Sequence, residues 1–518
     1  MIREFLFFVL FSVWILSGCA IKGSLGGANK AYSTGEYARS AAIYKKIFTK
    51  EKNKFTKGEI AFYMGESHRR INQPGKAASA YSRALRTSFD SPDMRLYYAQ
   101  SLLKTGKTED AQVQFEKVLE KSPNDALAHI GLSSCKFILE QKLAPRCDVS
   151  KFKEINSKYS DYSPAYSAET DPKIYFSSMR SSGKKKGLSR ITGQGASNIF
   201  VIYKDDKGRW VKPEVVEDPV STNFDEGALS ISTDGKELYF TRCRYDQTKV
   251  IGSEIFLMKR TGGRWSDPEL VPLGGDSLVM AHPAISSDGL TLYFVSDMAG
   301  SIGGKDIWKV QRADKDADWS VPVNLGSPVN TVGDEMFPYV KPDGTLFFSS
   351  DGHVGYGGLD VFRLRQNEGE PTKIENLLMP INSMSDDFGI VFDGDSESGL
   401  FASSRDNVKG VDNIFQFTYR PVVLGFKGRV TDYGKKKAPE GAFVRVVGSD
   451  GVMQKIEVQP DGAFTFNLKP NTDYVFMCGA KGYLNHREKF STIGVVDDKV
   501  FEYQIVLKEG LIGVGENK

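Results

Sequence analysis

The chain is poor in the residues that carry out chemistry. Its 518 residues include only five His, five Cys and five Trp. His68, His129, His282, His353 and His486 are scattered along it, and neither an H-E-x-x-H helix nor a G-x-S-x-G elbow occurs. A metal-activated water or an activated serine needs such spacings, so the sequence predicts no catalytic residues, no bound metal and no cofactor. Four cysteines stand apart from Cys19: Cys135, Cys147, Cys243 and Cys478. A disulfide framework is denser than this. Cys135 and Cys147 could pair in an oxidising compartment, with buried free thiols as the expected state. Charge of one sign is also missing, since 68 Lys and Arg face 65 Asp and Glu. That balance argues against nucleic acid or an anionic surface as a partner. Beyond the N-terminus, no apolar run is long enough to span a bilayer as a helix.

The N-terminus holds what the rest lacks. Met1-Ile2-Arg3 is a short basic start, and Phe5 to Leu16 is almost wholly apolar. The run has the length of a signal-peptide core. It ends in Leu16-Ser17-Gly18-Cys19, which resembles the lipobox of bacterial lipoproteins. The resemblance implies cleavage after residue 18 and acylation of Cys19, and several acyl chains on one residue anchor stably where a single one does not. Ala20 follows, not Asp, and residues 21–27 hold no acidic cluster. The expectation is a lipid anchor in the outer membrane, on a linker over 19–27, facing the periplasm.

Residues 28–145 read as helix pairs. Ala77 and Ala111 are 34 positions apart, as are Tyr81 and Phe115, and Gly65 and Ala99. Small residues allow helices to cross closely, and an aromatic fills the gap to the next pair. The period and pattern resemble tetratricopeptide repeats. A first, shorter copy carries Ser40, Tyr44 and Ile47, and Ala126 to Glu140 looks like a closing helix. The two readings are a concave groove for a peptide or protein, and a spacer.

Residues 160–420 change to short alternating strands. Asp234-Gly235, Asp288-Gly289 and Asp343-Gly344 each precede an apolar triplet, with the aspartates 54 and 55 positions apart. Asp-Gly supplies the positive φ of a tight hairpin. Trp210, Trp265 and Trp319 are each followed by a proline three residues on, which fits an outermost strand. These motifs resemble the PD40 or TolB-like WD40-type repeats of a β-propeller, with five countable blades and six possible. Acidic pairs recur before blades: Asp225-Glu226, Asp334-Glu335 and Asp386-Asp387, with His282 in register between two of them. They are the candidate propeller-mouth residues, read either as a cation site or as turn caps that link blades.

Residues 421–508 form a smaller all-β module. Gly428 to Asp432, Gly441 to Val446, Asp461 to Phe466 and Lys481-Gly482-Tyr483 resemble the carboxypeptidase regulatory-like domain, a non-catalytic sandwich of prealbumin type. The expected fold class is therefore a multidomain α plus all-β chain: a helical solenoid, a propeller and a prealbumin or Ig-like sandwich, with a tail over 509–518. This domain order resembles periplasmic outer-membrane proteins of Bacteroidota, including PorE-like proteins linked to type IX secretion and gliding. Those usually continue into an OmpA-like peptidoglycan-binding domain, which is not expected in this sequence. The resemblance implies a scaffold with protein partners in the envelope. A receptor for a glycan or peptide is the alternative.

Overall fold

The computed structural model describes residues 24–140, 146–167, 173–180, 188–216, 222, 224–243, 252–275, 278–365, 372–406, 410–435, 437–495 and 498–510. Cys19 and the apolar leader lie outside the described residues. No helix among the described residues is long and apolar enough to cross a membrane. The chain divides into two compact units, at Tyr419 and Arg420.

The first unit opens with seven helices: α1 (Leu25–Ser33), α2 (Tyr37–Phe48), α3 (Lys54–Arg70), α4 (Pro74–Ala84), α5 (Met94–Leu103), α6 (Thr108–Lys121) and α7 (Ala126–Glu140). Their starts follow local chemistry. Ser24 and Asn53 cap α1 and α3 through their side-chain oxygens, and Pro74 takes the first turn of α4, where its missing N–H costs nothing. The aromatic and small positions meet as the pattern requires. A Cβ on Gly65 would lie 2.7 Å from the Tyr81 ring, and one on Gly131 would lie 2.3 Å from Phe115. The Tyr81 hydroxyl donates to buried Glu66, which also holds Arg69 at 2.8 Å. The shorter first copy does have its leading helix, α1.

Five antiparallel sheets follow. Blade one is Asp161–Ser167, Lys173–Ser178, Asn198–Tyr203 and Glu214–Val215; blade two runs from Asp225–Ile231 through Glu237–Cys243 and Ser253–Thr261 to Glu269–Leu270. Blade three is Met280–Ile285, Thr291–Ser296, Asp306–Gln311 and Val323–Asn324. Blade four is Glu335–Val340, Leu346–Ser350, Asp360–Arg365 and Lys373–Asn376. Blade five has Asp387–Phe392, Ser398–Ser403 and Asn413–Tyr419 from its own stretch of chain. Its fourth strand is Cys147–Lys151, which pairs antiparallel with Asn413–Tyr419, Cys147 facing Tyr419. Blades four and five both lack a Trp-Pro closure, and only blade five takes its outer strand from an earlier segment; the blade count among the described residues is five. Alternation packs buried rings between neighbouring sheets, among them Phe176, Phe240, Phe294, Phe348 and Phe401.

The second unit is a seven-stranded sandwich. Leu424–Asp432 pairs with Ala463–Leu468 and, in parallel, with Lys499–Leu507. The opposing sheet has the order Met453–Glu457, Phe443–Gly448, Asp473–Gly479, His486–Ser491. Phe426 is the hub of its core, with Phe464, Phe466, Phe476, Phe490 and Tyr503 all within 5.5 Å between ring centres. Cys135 and Cys478 are buried free thiols, Cys147 is buried, and Cys243 is a free, exposed thiol.

Candidate binding sites of the propeller

The acidic pairs begin the inner strands, and the backbone there explains their recurrence. The first acid of each pair accepts the N–H of the residue just ahead of the third strand in the preceding blade. Asp225 takes Ser197 at 2.8 Å, Asp334 takes Lys305 at 2.9 Å and Asp386 takes Leu359 at 2.9 Å. The N–H of the second acid donates back to the carbonyl of that same residue. Each pair is thus a staple between two blades. A fourth staple has Ser160 in the first position, accepting Asp412 N–H at 3.1 Å, with Asp161 in the second. The Ser-for-Asp exchange hid that copy from a search for acidic pairs.

The second acid of each staple is buried and satisfied from its own blade. Asp161 and Asp387 hold Arg180 and Arg405, each at 2.6 Å. Glu226 accepts from Thr222 and sits 3.4 Å from Arg242. Glu335 accepts from Thr331 and Ser350, and burial pushes its carboxyl up to about 7. The arginines were missed by sequence reading, although Ser178-Met179-Arg180 and Ser403-Ser404-Arg405 repeat a Ser-x-Arg step after the second strand. Among the described residues, no group of three His, Cys, Asp or Glu is placed to hold a metal ion.

The solenoid is seated on this end of the propeller. Lys104, just past α5, reaches Asp386 at 2.6 Å, and burial would lower its pKa but for that carboxylate, which raises it. Ser134 of α7 accepts the Gly355 N–H, and Phe137 meets Tyr356 edge-on at 5.2 Å. At the other side Ala38 N–H donates to the Ile191 carbonyl at 3.0 Å, and Glu36 pairs with Arg190 at 3.2 Å. A Cβ on Gly410 would strike the Asn72 carbonyl at 2.4 Å, so that glycine permits the close approach. Half of these residues, Glu36, Asn72 and Lys104, lie in turns between paired helices. Lys104→Met leaves Asp386 nearly buried without its cation and is expected to cost about 1–3 kcal/mol. Faster proteolysis of the solenoid, with the sandwich unaffected, is the measurement that checks it.

The propeller axis is built from the inner strands. Each has a bulge, and the bulged residues Ser163, Ala228, His282, Phe337 and Gly389 all take positive φ, from 44° to 62°. Phe337 closes the waist: its ring stacks on His282 at 3.8 Å and leans on Phe388 at 4.6 Å. Beyond the waist, on the side of the Asp-Gly hairpins, lies a cavity of about 250 Å³ walled by all five inner strands. Pro164, Pro283 and Pro338 follow three of the bulged residues in its wall. His282 accepts the Phe337 N–H on Nδ1 at 3.3 Å, and burial brings its pKa down to about 3. The ring is therefore neutral with its proton on Nε2.

Comparisons with known proteins agree with the helical part. Residues 72–135 match the tetratricopeptide repeat family model. A stretch of 92 residues is 27% identical to human protein O-mannosyl-transferase TMTC2, covering 18% of this chain and 11% of that protein. The chain thus spans about a tenth of the length of that curated relative. Among solved structures, it is similar to a protein described as TolB from Agrobacterium tumefaciens at 12% identity, covering 70% of this chain and 95% of that one, with a TM-score of 0.31. It is similar to the α-L-arabinofuranosidase of Lactobacillus brevis at 11% identity, 52% and 93% coverage and TM-score 0.33. A mannose phosphorylase from Leishmania mexicana follows at 15% identity, 57% and 94% coverage and TM-score 0.34. Enzymes stand among the neighbours, at low identity and low TM-score.

Proposed function

We propose that the protein is a non-catalytic scaffold, lipid-anchored through Cys19 in the outer membrane and facing the periplasm, which holds protein partners in an envelope complex. The single observation that supports it best is the seat of the solenoid: the chain's own helices sit on blades one, four and five at the acid-bearing end of the propeller, with Lys104 against Asp386. Acids engaged in blade staples and in that seat are not free to polarise a substrate. The tetratricopeptide repeats supply a protein-interaction role, and type IX secretion or gliding machinery is the setting suggested by the order of the domains. A receptor for a glycan or peptide is the second reading, favoured by the blind axial cavity.

In-cell crosslinking of the tagged protein, followed by outer-membrane extraction and mass spectrometry, tests the scaffold. Enrichment of secretion-system or other outer-membrane subunits is the expected result, and the protein recovered alone would defeat it. Cys19→Ala is expected to move the protein from the membrane fraction to the soluble fraction with its thermal unfolding unchanged. Retention in the membrane would count against the lipid as the tether.

A further inference from the structure

The axial cavity is more apolar at its floor than the acid-bearing opposite end of the propeller. Its wall is apolar, with Ile231, Ile285, Val340 and Phe392 among the lining side chains. Hydroxyls of Ser163, Tyr166 and Ser287 also stand in its wall, and His282 adds a ring N–H. His282 lines the cavity with Nδ1 already occupied, and its Nε2–H has no acceptor among the described residues. Dry apolar cavities of about 150 Å³ admit a benzene ring, so 250 Å³ has room for a phenol.

The rim carries the opposite character. Asp393 lines it, and Asp288 and Asp343 stand in the hairpins beside it. Turn hydrogen bonds, from Ser286 and Leu290 to Asp288 and from Thr345 to Asp343, hold those two carboxyls below the usual range. None of the three has an ion-pair partner among the described residues. Of the nearby cations, Lys315 pairs with Asp234 at 3.0 Å, while Lys341 sits over the Phe392 ring, 3.8 Å from Glu397, and also helps to hold the Asp343 carboxyl down. An uncharged pocket beneath an anionic rim selects an apolar group flanked by positive charge.

We propose that the axial cavity is a binding site for one aromatic side chain, tyrosine in preference to phenylalanine, presented by a partner segment with basic residues on either side. The ring packs against Phe337, and the phenolic oxygen accepts the His282 Nε2–H. The idea deepens the protein-partner reading by naming what a partner inserts. It needs no catalysis and leaves the solenoid seat undisturbed.

The test is a calorimetric titration of the full lipoprotein in detergent with the peptides Ac-Lys-Tyr-Lys-NH2, Ac-Lys-Ala-Lys-NH2 and Ac-Glu-Tyr-Glu-NH2. The first is expected to bind at least about tenfold more tightly than either of the others. Equal binding of the tyrosine and alanine peptides would overturn the site, and this comparison needs no variant to fold. Ala284→Leu, which fills the cavity, is expected to weaken the tyrosine peptide by a further tenfold or so at unchanged melting temperature. Undiminished affinity in a normally melting variant would also overturn it. His282→Asn should narrow the preference for Lys-Tyr-Lys over Lys-Phe-Lys. Peptide binding with an empty crosslinking eluate would fault the scaffold and leave the cavity standing; the reverse would fault the cavity alone.

Discussion

Arg405→Met is expected to destabilise the propeller by about 3–5 kcal/mol near pH 8, the cost of leaving one partner of a buried ion pair behind. Asp387 is fully buried, and Arg405 holds it at 2.6 Å while also donating to the carbonyls of Pro380 and Ile381. Burial already raises the Asp387 carboxyl, and Arg405 is the first of the groups that pull it down. Without the arginine the folded-state pKa rises further, while the unfolded-state value is that of an ordinary aspartate. A folded pKa above the unfolded one means that the folded state takes up the proton first. The penalty is therefore full above the raised pKa and shrinks as pH falls towards the unfolded carboxyl range. Urea unfolding of the variant and the parent at pH 8 and pH 5 checks this. The deficit should be smaller at pH 5 by about 1 kcal/mol or more. A deficit that does not change with pH would mean that the Asp387 carboxylate is not the group stranded by the substitution.

The staples also show what the sequence could and could not reveal. The acidic pairs were visible because they recur with the blades, and recurrence marked them as part of the fold. Their partners were not visible, because a staple joins an inner strand to the backbone of the preceding blade, which no local spacing reports. Asp161 escaped notice since Ser160 does the work of the missing first acid with a hydroxyl. His282 and Phe337 looked unrelated, being 55 positions apart, each in a different repeat. The fivefold geometry makes them neighbours. Each follows its inner-strand start by two residues, each takes a left-handed backbone, and His and Phe precede prolines in both cases. The helix pairs were easier to read, since their contacts lie within one 34-residue period and the small residue and the aromatic meet within it. The seat of the solenoid was illegible for the opposite reason. Lys104 and Asp386 are separated by most of the propeller, and nothing in either neighbourhood announces the other.

Val149→Asp addresses the least legible element of all, the strand that closes the ring. Cys147–Lys151 is five residues long, follows the solenoid rather than a blade, and carries neither an Asp-Gly turn nor a Trp-Pro step. Its role comes from register. Val149 faces Phe417 across the pair and packs, with Cys147, against the core that holds Phe347, Phe392, Phe401 and Phe415. Phe417 itself is buried against Phe392 at 5.1 Å and Tyr419 at 5.7 Å. A carboxylate at 149 must either desolvate against these rings or leave and take the strand with it. The first costs about 2–4 kcal/mol. The second leaves blade five with an open edge and uncovers part of an aromatic core, so that the ring is no longer closed. Either way the propeller should unfold at lower urea, and the sandwich, a separate compact unit, should keep its own transition. Aggregation at the propeller transition is expected as well, because an unpaired edge beside exposed rings is a template for another chain. Asp148→Val is the control, since residue 148 is exposed at the same strand and its side chain faces away from that core. If Val149→Asp unfolds no earlier than this control, the ring is closed by its neighbours' packing, and the strand from the solenoid is an ornament of the fold and not its latch.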